Sequence, residues 1–453
     1  MRSAIFPRRR KFEAKTMAID PPVSAVNDLP LISGYGEERI SWRRNLLFVW
    51  ISQFLSIAAF SFAIPFAPLY IKTLDVSDTQ EAAYWAGWFA SSAAISLMIM
   101  SPIWGGLGDR FGRKIMLVRA NLLGAVLLYA MGCVHSVFWL IALRFGQGMF
   151  TGTVPAAMTL VSVNTPERRH GMAIGLLTAA IHAGGMAGFI SGGLCAEAFG
   201  PARSFQIAGF LLAAAGLVAM LGVRENFEVS ENKDASAMAN GSAPGHACAV
   251  AAVLGLLVLA NLGRTVDTPV FALFIETLLA PGTTGAFAMT GWVSAAAAVA
   301  AVLGAVISGR LLDRFSSSGL GAICALVASL GLMLSALSSS LPSLFAARSI
   351  FALASTGFEP AMQIWLTRLT ASAQRGKAFG WATTARSLGW ILGPLLGAYI
   401  ARKFCHLAAA FWLAAIVMFL LAILAHAARR FEQSIKPENR RSSHRCIAKY
   451  SSR

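Results

Sequence analysis

Charged side chains stand inside otherwise apolar runs, among them Arg144, Arg264, Asp267, Arg348, Glu359 and Arg386. A charge at the middle of a bilayer costs about 2.5–3.5 kcal/mol even on lenient scales, which makes each a functional candidate. Carrying a proton needs a carboxyl that loads and releases near neutral pH, and a low-dielectric cavity permits that. Asp267 and Glu359 are the candidates. Arg264 precedes Asp267 by three residues, and three-apart side chains on one helix are neighbours, so these two form a candidate neutralising pair. Glu359 has no partner close in sequence. Arg348 and Arg386 are cavity candidates, and Arg386 can contact an anion or pair with Glu359. At each position structural pairing is the rival to function. Phe62 and Trp292 are candidates for an apolar cavity wall, with packing or an interfacial belt as the alternative. His182 can titrate, or can simply be hydrogen-bonded. The six cysteines are scattered without a C-x-x-C, and neither H-E-x-x-H nor G-x-S-x-G occurs. Neither a metal site nor a cofactor nor an enzymatic activity is expected.

The elements that must hold these charges are legible in the composition. Of 453 residues 56% are hydrophobic and 13% charged, against about 25% charged in a soluble domain. Apolar stretches run at 45–71, 83–106, 115–134, 136–162, 171–195 and 203–222, then at 248–277, 285–310, 319–339, 341–369, 377–401 and 406–428. Each is long enough for a bilayer core of about 30 Å, and backbone in lipid must bond within itself, so each is expected to be a helix. The expectation is an all-α polytopic membrane protein with 12 transmembrane helices in two six-helix halves, 42–223 and 248–428. Around them lie a disordered tail (1–41), a polar linker (224–247) and a basic tail (429–453). The net charge of +17 sits mostly at the ends, with nine Lys/Arg in 1–45 and eight in 429–453. Such tails suit anionic lipid, and nucleic acid is not expected. Arg110, Arg113, Lys114, Arg168, Arg169, Arg310, Arg314, Arg375 and Lys377 fall in alternate turns. The positive-inside rule then places both termini in the cytoplasm.

The halves repeat. "GGLGDRFGRK" (105–114) returns as "GRLLDRFSSS" (309–318), with Gly105, Asp109 and Arg110 matching Gly309, Asp313 and Arg314 at a spacing of 204. Pro65 matches Pro269, Gly87-Trp88 matches Gly291-Trp292, and Arg144 matches Arg348. After one inserted residue Pro155 matches Pro360, Gly175 matches Gly380, Gly188 matches Gly393 and Gly192 matches Gly397. Duplicated halves of this kind are a transporter architecture with the substrate site between them.

"GGLGDRFGRK" resembles the signature between helices 2 and 3 of the major facilitator superfamily. "LIALRFGQG" (140–148) resembles that family's helix 4 motif. "GGMAGFISGG" (184–193), with Gly184, Gly188, Gly192 and Gly193, is similar to the helix 5 motif of its drug:proton antiporter branch. The motif's proline is replaced here by Phe189, while Pro394 stands in the second half. The resemblance spans about 41–428. It implies a monomeric secondary transporter in a bacterial inner membrane, exporting small amphipathic compounds with the proton gradient as energy source. The alternatives are export of a specific metabolite, such as a siderophore, or proton-coupled uptake of a small solute. It implies for Arg144 a role in proton coupling or in contact with a substrate anion. It implies a cytoplasmic gate formed by Gly105, Asp109, Arg110, Gly112, Arg113 and Lys114, and more weakly by Asp313 and Arg314.

Overall fold

Helix is the only regular structure among the described residues, which are 42–76, 78–166, 169–225, 244–280, 284–312, 314–370 and 375–434 of a computed structural model. α1 (Trp42–Ala63) passes through a 3-10 turn, Ile64–Phe66, into α2 (Ala67–Lys72). There follow α3 (Thr79–Phe111), α4 (Arg113–Met131), α5 (Val137–Phe150), α6 (Thr153–Asn164), α7 (His170–Phe199) and α8 (Pro201–Gly222). The second half holds α9 (Pro244–Thr265), α10 (Thr268–Leu278), α11 (Ala286–Leu312), α12 (Ser317–Ala336), α13 (Leu341–Ser355), α14 (Phe358–Leu369), α15 (Arg375–Lys403) and α16 (Ala408–Ser434). α9 thus begins inside the expected linker, and α16 runs past 428.

Among the described residues ten stretches are long and apolar enough to cross a membrane, against the twelve spans expected. The remaining two expected spans are helical for other reasons. α5 and α6 are pieces of 14 and 12 residues, split at Thr151 and Gly152. α15 is continuous over 29 residues but carries Arg375, Lys377, Arg386, Arg402 and Lys403. Every third apolar stretch is broken: the first at Ile64–Phe66, the fourth at Gly152, the seventh between α9 and α10, the tenth between α13 and α14. The repeated prolines explain the spacing. Pro65 sits inside the 3-10 turn, and Pro155, Pro269 and Pro360 fall in the first turn after a break, where a missing N–H costs nothing.

Close packing within each half follows one glycine ladder. Gly184, Gly188 and Gly192 of α7 leave no room for a Cβ against the carbonyl oxygens of Phe54, Ala58 and Phe62 on α1. Gly389, Gly393 and Gly397 of α15 do the same against Val258, Leu262 and Val266. Small residues four apart let backbones approach in a medium where apolar burial gives helices little reason to associate. Gly193 faces the other half, lying against Phe287, Ala288 and Gly291 of α11.

The two ends of the bundle differ. At the end bearing Lys72 the halves are shut. A Cβ on Gly87 of α3 would overlap Ala398 and Pro394 of α15, and one on Gly291 of α11 would overlap Phe189 of α7. Ser91 Oγ donates to Ile391 O at 2.7 Å, and Phe287 N–H donates to Glu197 Oε2 at 3.3 Å. Lys72 Nζ meets Glu276 Oε2 at 2.8 Å. That pair is partly exposed and contributes about 1 kcal/mol or less, enough to bias the end without locking it. At the opposite end Gly105, Gly106, Gly171, Gly175, Gly309 and Gly380 have nothing within 4 Å of a built Cβ.

The turn at this open end is built by one glycine and one acid. Gly112 (φ 93) makes the single-residue joint between α3 and α4 that a side chain would strain. The first two N–H groups of α4, from Arg113 and Lys114, donate to Glu225 Oε1 and Oε2 at 3.0 and 2.7 Å. A carboxylate there meets both orphan donors and the positive end of the helix dipole. Glu225→Ala is expected to cost about 1 kcal/mol. The loss is local, so it is checked by faster hydrogen exchange at the α4 N-terminus, with Glu225→Gln intermediate.

Candidate functional site

The four broken helices converge on a cavity between the halves. It has two lobes, about 450 Å³ and 470 Å³, which share Ile64, Ala90, Arg144 and Thr268. The first lobe takes Phe89 and Phe189 from the first half and Arg264, Phe271, Arg348 and Phe351 from the second. The second takes Phe60, Leu97, Gln147, Thr265, Trp390 and Pro394. The walls are apolar with a few converging polar groups, the usual make-up of a small-molecule site.

The charges pair differently from the sequence expectation. Asp267, fully buried, accepts through Oδ2 from Arg348 Nη1, and not from Arg264. The three-residue spacing assumes one continuous helix, but α9 ends at Thr265 and α10 begins at Thr268, so the rotational register is lost. Glu359 is likewise not alone. Its Oε2 lies 3.4 Å from Arg264 Nη1, and its Oε1 lies 2.5 Å from Arg386 Nη1. Arg386 Nη2 also donates to Thr383 Oγ1 at 3.0 Å. Glu359 therefore ties α9, α14 and α15 together. Arg348 is further placed by two rings, Phe271 at 4.5 Å and Phe351 at 4.8 Å from its guanidinium carbon.

Arg144 lines both lobes. Its Nη1 donates to Gln147 Oε1, its guanidinium lies 5.0 Å over Phe89, and its buried Nε has no partner among the described residues. Arg386 lines neither lobe but reaches the site through Glu359. Phe62 and Trp292 do not line the cavity. Phe62 is 6% exposed and packed under Gly192, while Trp292 is 48% exposed. The neighbouring Gly291 faces α7, and one residue further round the helix turns Trp292 outward; Gly87 and Trp88 repeat the arrangement.

In the signature turn, Arg110 is exposed in the last turn of α3, and Arg314 is exposed after α11. The side chain of Asp109 and the whole of Asp313 lie outside the described residues, as does Arg168. Several contributors were missed from sequence. Gln147 stands inside the quoted "LIALRFGQG". Phe89, Phe351 and Trp390 carry no signal that separates them from packing aromatics. Arg119, 3.2 Å from the centroid of the Trp104 ring, is a further charge in an apolar segment but lines neither lobe.

The major facilitator superfamily model matches residues 49–260 and again 253–448. The chain belongs to that superfamily, whose transporters act across membranes on small molecules. It is 30% identical over 387 residues to the multidrug resistance protein MdtG of Proteus mirabilis, covering 84% of this chain and 95% of that one. It is also 30% identical over 380 residues to the multi-drug resistance efflux pump PmrA homolog of Lactococcus lactis, covering 82% and 91%. A bacterial homolog of the human lysosomal transporter Spinster, solved in an inward-facing and occupied conformation, has the same fold: TM-score 0.67, 18% identity, 85% and 96% covered.

Proposed function

We propose that this chain exports small amphipathic compounds or drugs across the bacterial inner membrane in exchange for protons, by alternating access. The observation that carries the reading is the two-lobed cavity at four helix breaks, with the halves packed together at the end bearing Lys72 and free space around the described glycines at the other. The relatives' names, multidrug resistance protein and efflux pump, supply the cargo class and the direction. With both termini cytoplasmic, as the basic turns imply, the open end faces the cytoplasm and the cavity stands ready to load. Rocking one half against the other then shuts the end bearing Gly105 and Gly309 and parts Lys72 from Glu276. One chain holds the whole cavity, so a monomer suffices. The proton gradient is the energy source, without a cofactor.

Glu359 is the proton carrier in this account. Its side chain is 24% exposed, whereas Asp267 is sealed at 0%, so water reaches only Glu359 in this state. Adding a proton there releases Arg264 and Arg386, loosening α9, α14 and α15 together. Everted vesicles test the reading. The wild-type chain is expected to accumulate a fluorescent amphiphile on acidification of the lumen. Glu359→Gln is expected to fall to the level of empty vesicles in that assay while keeping substrate counterflow. Full proton-driven accumulation by an Asp267→Asn, Glu359→Gln variant excludes coupling through these carboxyls.

A further inference from the structure

The internal repeat provides a comparison within one chain. Arg144 and Arg348 hold equivalent positions, and both line the cavity. Arg348 has a carboxylate, Asp267. The place equivalent to Asp267 in the first half, 204 residues earlier, is Ala63. Among the described residues Arg144 has no acid in its stead, only Gln147 and the face of Phe89, and its buried Nε has no partner. The other charges repeat the asymmetry. Arg264, Glu359 and Arg386 correspond in the first half to Phe60, Val154 and Ile181, so that half offers an apolar wall with one cation in it. Across the whole site four arginines face two carboxylates.

An unneutralised guanidinium against apolar walls is an incomplete ion pair. Burying such a charge is costly unless a counter-charge arrives. Arg presents paired donors that match a carboxylate or other planar oxyanion. Ile64, Phe60 and Phe89 beside it suit an aromatic or branched apolar body. We infer that the cavity selects amphipathic anions, with Arg144 binding the anionic group and the first-half wall taking the apolar part. Arg144 is then a specificity-determining residue, and cargo supplies the carboxylate that position 63 lacks. This rests on the export reading for the site's identity, but it concerns which charge the site prefers.

Purified protein in lipid nanodiscs, titrated with 2-naphthoate and with 2-naphthylmethylammonium, separates the possibilities. The two probes share a ring system and differ in the sign of the charge. Naphthoate is expected to bind about tenfold or more tightly than the ammonium, as expected for a charge-assisted bond. Arg144→Gln is expected to remove that preference, and Arg144→Lys to keep part of it. Ala63→Asp, which restores the acid the repeat lacks, is expected to abolish naphthoate binding while leaving the ammonium bound. If Ala63→Asp does not fold, Arg144→Gln alone decides. Equal binding of the two probes, tighter binding of the ammonium, or unchanged naphthoate affinity in Arg144→Gln overturns the inference. Accumulation of a cationic dye such as rhodamine 6G by everted vesicles, with no naphthoate preference, leaves export standing and removes anion selection. Preferential naphthoate binding with no accumulation of any amphiphile does the reverse.

Discussion

Asp267→Ala is expected to cost the fold about 3–5 kcal/mol, because it strands the Arg348 guanidinium without its counter-ion. Asp267 is wholly buried, and Arg348 is 14% exposed at the cavity wall. The pair is not generous to begin with, since Asp267 Oδ1 has no partner among the described residues. Two buried charges with an incomplete bonding set gain little over two apolar side chains. Removing both is therefore expected to restore most of the loss. Asp267→Ala combined with Arg348→Met keeps the volume near Phe271 and Phe351 and removes the stranded charge. Thermal unfolding in micelles, followed by tryptophan fluorescence, reads the comparison. A single variant as stable as the wild type, or a double variant no better than the single, contradicts it. Transport is expected to be lost in both, which separates stability from function.

Gly192→Val is expected to destabilise by about 3 kcal/mol, at the upper end for an overfilled core. The obstruction is the backbone of Phe62, which cannot rotate aside as a side chain can. Gly175, on the same helix, has open space around it. Gly175→Ala is expected to be neutral or to stabilise by up to about 1 kcal/mol through helix propensity. The same substitution is expected to slow transport, since the open end must close for the cycle to run. Unfolding midpoints and vesicle transport rates, measured on both variants, check the contrast. A Gly192→Val protein as stable as Gly175→Ala removes the argument for the ladder.

The helical class, the recurring glycines and the charges inside apolar runs are legible in the sequence. These are signalled by residues whose presence in lipid is costly or whose spacing recurs. The pairing is not legible there. Asp267 and Arg264 look like neighbours only if the helix is continuous, and Pro269 marks the repeat without by itself announcing a break. Glu359 finds Arg264 and Arg386 across 95 and 27 residues of chain, distances over which no local rule operates. The aromatic wall is only partly legible for a related reason. Phe62 and Phe60 are two residues apart on α1, yet one underlies Gly192 and the other faces the cavity. Only the rotation of α1 against α7 decides between them, and a sequence does not state that rotation. The apolar signal is weakest at α5–α6 and at α15, where a bend and five basic residues lower it.

Lys72 and Glu276 occupy the same place in the two halves, 204 residues apart, and bind each other. In a dimer of identical subunits about a two-fold axis, a residue at such a place meets its own copy. Lysine would face lysine, or glutamate glutamate, and the contact would repel. Attraction there is open only to a chain whose copies were joined and then diverged. Fusion thus gave the closed end a clasp that separate, identical halves cannot possess. It also made the halves unequal partners, so that exchanging one for a second copy of the other would turn the clasp into a wedge.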